Sequence, residues 1–216
     1  MTKQDTQKPV HRQPRQPDEH GQGRGQAVLA RLTEGESASV LCTLLQRHES
    51  LLSEANKLAT EILNAPTRED IASEVSEAVT SLDIQDLNGR AGATRWGYTG
   101  PTEAAWQLLE ESVEDFRADL KRLGELGLMD AAVTMCRGIV SGLYTARNTN
   151  SDGPLGWVPD FPAEEAGHAV AELLQASPDE ARAAIRARLL ATVAEDAPDW
   201  AVMLRRAAGE KERPQY

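Results

Sequence analysis

Two cysteines are all that this 216-residue chain holds. Cys42 and Cys136 stand in separate apolar runs, not at CxxC or metal-ligand spacing. That excludes a disulfide framework and predicts two small buried hydrophobes in a reducing compartment. No apolar stretch occurs among residues 1–26, so no secretory signal is expected. The best apolar run, 127–143, is broken by Asp130 and Arg137, which argues against a membrane span. The cytoplasm is the expected compartment. Also missing are a GxSxG elbow, a P-loop and a dinucleotide fingerprint, and neither cysteine has an evident base nearby in sequence. No cofactor is expected, no catalytic residue can be named, and the balance leans away from an enzyme.

Positive charge is scarce as well. Lys and Arg number 23 against 34 Asp and Glu, a net charge of −11. Residues 1–26 hold five of those cations and three of the acids, so they carry +2 and the rest carries −13. A body that acidic repels phosphate backbones, and no aromatic or glycine-rich recognition pattern offsets the repulsion. The expected partner is another protein rather than nucleic acid or membrane.

What the chain does have is helical periodicity. Residues 1–26 are rich in Pro, Gln, Gly and charge, cannot bury enough apolar surface to offset ordering entropy, and are expected to be disordered. A single helical domain over 27–209 follows, with a disordered C-terminus over 210–216. Val40, Leu41, Leu44 and Leu45, then Leu51, Leu52, Ala55, Leu58, Ala59, Ile62 and Leu63, recur at spacings of three and four. They predict a helical hairpin turning near His48. Thr67 and Asp70 form a capping-box pair ahead of Ile71, Val75, Ala78, Val79 and Leu82. Pro101 suits a first helical position, and Trp106, Leu109, Val113, Phe116, Leu120 and Leu123 then give the strongest stripe in the chain. Leu128, Ala132, Met135, Ile139 and Leu143 stripe the next helix, where Gly138 and Gly142 would admit a close neighbour. Ser177, Pro178 and Glu180 resemble another capping box, and Asp196 to Asp199 opens a last short helix. Strand-like alternation is absent. The predicted fold is all-α, an irregular stack of helical hairpins around one core with no sheet.

Two glycine- and proline-rich segments interrupt the helices, 83–100 and 147–165, with a turn expected at Asp86–Gly89. Loops on a rigid scaffold carry function out of proportion to their length, so candidate binding residues are sought there. Arg90, Arg95, Trp96 and Tyr98 in the first, and Asp152, Trp157 and Asp160 in the second, combine aromatic walls with both signs of charge. The same residues also suit capping and core covering. The short turn between the stripes 106–123 and 128–143 would bring both segments to one end of that central hairpin. Asn148, Asn150 and Asp152 alternate oxygens as a calcium loop does, but the closing glutamate is replaced by Pro159. Asp160, Glu164 and His168 share a helical face, yet capping accounts for the acids, and no metal site is expected. The paired acids Glu164 and Glu165 look solvated.

Several strings stand in succession: LLQRHESLLSEANKLATEIL, SLDIQDLNGRAG, WGYTGPTEAAWQLLEE, GIVSGLY and LGWVPDFPAEEAG. The chain resembles an uncharacterised all-helical bacterial family with DLNxRAG, GYxxPTEAAW, GLY and WxPDFPxE motifs, over roughly residues 40–174. It is more loosely similar to helical segments that accompany SWIM-type zinc-finger proteins. That resemblance implies a bacterial helical protein and brings no ligand or reaction, and this chain has no zinc-binding Cys and His set to receive the metal. The function expected is a cytoplasmic protein-interaction or scaffold module. A small-ligand-binding protein or enzyme using 83–100 and 147–165 is the competing class.

Overall fold

The computed structural model describes residues 28–94, 97–149 and 152–210. The expected disorder of 1–26 and 210–216 falls almost wholly outside them. Contacts divide the chain into two compact units, Met1–Asn56 and Lys57–Tyr216. Among the described residues no helix is long and apolar enough to cross a membrane.

The first unit is built from α1 (Glu34–Arg47), a 3-10 turn (Glu49–Leu51) and the start of α2 (Leu52–Leu63). Thr33 opens α1 through a capping box with Glu36, so two orphan backbone donors are satisfied. The helix stops at His48, whose φ of −134° and ψ of 74° leave the helical region. The break therefore lies where the sequence places it.

The second unit contains the core. Its helices are α3 (Arg68–Thr80), α4 (Ile84–Arg90), α5 (Pro101–Glu125), α6 (Met129–Ala146), α7 (Pro154–Trp157), α8 (Phe161–Ala176), α9 (Asp179–Asp196) and α10 (Ala201–Ala207), with a 3-10 turn at Pro198–Trp200. The predominantly all-α expectation holds. At the centre α6 packs against α3, α5, α8 and α9. It buries Ala132, Cys136, Ile139, Val140 and Leu143 completely. Gly138 and Gly142 set the distance to α3: a Cβ on Gly142 would lie 2.6 Å from the Ala72 carbonyl oxygen. Gly127, with φ of +73°, turns α5 into α6.

Several local expectations are corrected. The chain does have a sheet, a two-stranded antiparallel ribbon of β1 (Gly92–Thr94) and β2 (Gly97–Thr99), in register Gly92↔Thr99, Ala93↔Tyr98 and Thr94↔Gly97. Only two residues join the strands, and Gly92 and Gly97 take φ of 120° and 138°, which favours glycine. The turn expected at Asp86–Gly89 is instead helix α4, because Asp83 and Asp86 form a reciprocal capping box and Leu87 is buried beneath. The capping box expected from Ser177 to Glu180 does not form: Ser177 Oγ donates back to the Leu173 carbonyl at 2.6 Å, and α9 starts without a side-chain cap. Cys136 is buried as expected, but Cys42 is exposed. Phe116 is only half-buried, whereas Leu109, Val113 and Leu120 of the same stripe are fully buried.

Candidate protein-interaction surface

The loop residues singled out from sequence come to different ends. Arg90, at the last turn of α4, makes a two-pronged ion pair with Glu111 of α5, Nη1 to Oε1 at 2.8 Å and Nη2 to Oε2 at 2.5 Å. That bond holds the Glu111 carboxyl below its ordinary range. Arg90 therefore ties α4 to α5. Tyr98 stands on β2 at 71% exposure. Asp152 is exposed before α7, Trp157 ends α7 half-exposed, and Asp160 precedes α8 without a side-chain hydrogen bond to the helix. Arg95 and Trp96 lie outside the described residues.

Around Trp157 the second segment is closely packed. Pro154, Leu155, Val158 and Phe161 are buried. Phe161 meets Trp106 of α5 edge to face at 5.1 Å, and α7 packs on α5. The segment is anchored along α5 by its apolar residues and turns Trp157 outward.

Three concavities of about 350 to 390 Å³ occur elsewhere in the second unit, one bordered by Arg182 and Arg186, one by Glu110 and Arg117, one by Ser73 and Thr145. Next to the second sits the most deeply buried charge among the described residues. Glu165 on α8 is fully buried, with Arg117 Nε 3.2 Å from Oε1 and His168 Nδ1 3.3 Å from Oε2. Burial pushes its carboxyl above the ordinary value, and Arg117 and His168 only partly offset this. Sequence reading left Glu165 among solvated acids; the α8 face that carries Phe161, Ala169 and Leu173 into the core carries it too. Arg117 also grips Glu172 at 2.6 Å. Among the described residues no group of three His, Cys, Asp or Glu side chains is placed to hold a metal.

The remaining candidates are the exposed apolar side chains of α1 and of α2. Neither helix buries a single residue. Val40, Leu41, Leu44, Leu51, Leu52, Leu58 and Ile62 are 41% to 70% exposed, while Leu45, Ala55 and Leu63 are half-buried. By contrast α3 buries Ile71, Val75 and Val79 with a weaker stripe. Periodicity alone reads both as core-facing. Compared with protein-family models, with curated proteins and with solved structures, the chain matches none.

Proposed function

We propose that this chain is a cytoplasmic protein-interaction or scaffold module of bacterial type, built from helical hairpins and making its contacts through exposed aliphatic side chains on α1 and on α2. The observation that carries the reading is the exposure of seven large aliphatic side chains within residues 40–62. Exposed aliphatic side chains concentrated in one stretch of chain commonly mark a contact surface. Covering such side chains removes them from water, which is the main driving force for association. The loop residues contribute less, since Arg90 is already engaged by Glu111.

The test compares the full chain with the double variant Leu44→Glu/Leu58→Glu as bait in a cell extract. Proteins held by the parent and lost by the variant, at unchanged thermal midpoint, are the expected result. Identical captures by both baits would overturn the reading. So would a midpoint drop of more than about 5 °C, which would make these leucines core residues.

A further inference from the structure

We infer that the concavity bordered by Arg182 and Arg186 binds a small carboxylate with an apolar body. It lies wholly within the second unit and shares no residue with the interaction-module reading, so either can fail alone. The concavity, about 350 Å³, opens between α8, α9 and α10, and its walls include Ala171 and Leu174 of α8 and Ala207 and Ala208 at the end of α10. That is the small end of the range of ligand pockets.

The first ground is an unmatched charge. In a chain of net −11 a cation has acids to choose from. Among the described residues of the second unit every other lysine and arginine is engaged, all but Arg206 with a carboxylate within 4.0 Å. Arg186 stands apart from them. It is half-buried on α9, and its Nε is closed off from water without an acceptor. Its Nη2 lies beside Gly209, 3.8 Å from where a Cβ there would stand. A cation partly withdrawn from water without a counter-charge costs free energy, and a planar carboxylate on the guanidinium would return it.

The surroundings are the second ground. Arg182, one turn earlier on α9, has spent its donors: Nε gives to the Leu174 carbonyl at 2.8 Å, Nη2 gives to the Ser177 carbonyl at 3.0 Å, and Asp179 lies 2.8 Å away. Nor is Arg186 occupied as a cap of α10. The backbone N–H groups of Ala208, Gly209 and Glu210 already serve the carbonyls of Leu204, Arg206 and Arg205. The concavity therefore offers one uncommitted positive charge, which matches a monoanion better than a phosphate dianion. Its alanine and leucine walls favour a hydrocarbon body behind the carboxylate.

Amide shifts of the isotope-labelled full chain, titrated with sodium hexanoate to about 20 mM at constant ionic strength, test the inference. Saturable shifts at Leu174, Ala208 and Gly209 are expected, with a Kd on the order of 1 mM. Arg186→Met keeps an apolar stem and removes the charge. It should weaken hexanoate at least ~10-fold while leaving the thermal midpoint level or higher, because the lost charge had no partner. Hexanamide, of the same length and neutral, asks the same question without altering the protein and should bind the parent at least ~10-fold more weakly than hexanoate. Absence of saturable shifts in the parent overturns the inference, as do shifts confined to α1 and α2. Equal binding of hexanoate and hexanamide, or hexanoate binding that survives Arg186→Met, removes Arg186 as the anion's partner and overturns it too. Inorganic phosphate bound as tightly as hexanoate would overturn the apolar-bodied class.

Discussion

Arg117, midway along α5, lies with its Nε 3.2 Å from Oε1 of Glu165, a carboxylate with no exposed surface on α8. The same guanidinium reaches Glu172, about two turns farther along α8, at 2.6 Å. A single cation thus serves two acids, and its own proton is held more tightly than usual, first through the hydrogen bonds it donates to Glu172. For Glu165 the balance goes the other way, because the cost of removing its charge from water exceeds what Arg117 and His168 return.

A pH signature follows. A carboxyl whose folded pKa is raised contributes stability in its protonated form, fully present below the unfolded value and lost as pH rises through the folded one. In the parent chain, Glu165 should therefore cost progressively more stability as pH rises above the ordinary carboxylate range. Glu165→Gln lacks that titration. Urea unfolding of both proteins from pH 4 to 8 should find the Gln variant gaining on the parent as pH rises; a constant difference, or the reverse slope, would contradict the buried-charge account. Arg117→Met at neutral pH leaves the charge without its cation and should cost about 3 to 5 kcal/mol, with most of the loss recovered when Glu165→Gln is added.

The contact of α3 with α6 yields a steric prediction. At Gly142 a Cβ would lie 2.6 Å from the Ala72 carbonyl oxygen and 2.8 Å from Val75 Cβ, and at Gly138 it would lie 2.5 Å from Ile71 Cβ. A backbone oxygen cannot rotate aside, so α3 must shift as a whole. Gly142→Ala should destabilise by about 1 to 3 kcal/mol despite alanine's better helix propensity. Gly89, inside α4 with nothing within 4 Å of an added Cβ, is the control: Gly89→Ala should be neutral or stabilising by up to about 1 kcal/mol. Chemical denaturation of both variants gives the comparison, and equal effects would mean that α3 does not approach α6 this closely.

Sequence reading reached the helices wherever local chemistry set them, as at Thr67, whose capping box opens α3, and at Pro101, which opens α5. Gly138 and Gly142 signalled a close neighbour without saying which helix it was. What escaped was non-local. Asp196 reads as the start of a helix but ends α9, where its side chain, 2% exposed, accepts from both Arg68 of α3 and Arg137 of α6. Those partners are 128 and 59 residues away, and no spacing rule connects them. Periodicity likewise reports that a face is apolar and not what covers it, which is why the stripes of α1 and α3 read alike although only α3 is buried. At the loop candidates, residue type alone could not tell that Arg90 is consumed by Glu111 while Tyr98 stays exposed.

The two cysteines supply the last prediction. Cys42 on α1 is exposed, whereas Cys136 is fully buried on α6. Burial first, then the negative charges of Asp196 and Glu172, push the Cys136 thiol up to about 12. The thiolate is the reactive species, so at pH 8 Cys136 is both shielded and protonated while Cys42 is open to reagent. Titration of the native chain with an aromatic disulfide reagent should release one equivalent quickly, and a second only after denaturation. Two fast equivalents in the native protein would show that the core around α6 opens readily. No fast equivalent at low micromolar concentration would mean that α1 is covered within a single chain.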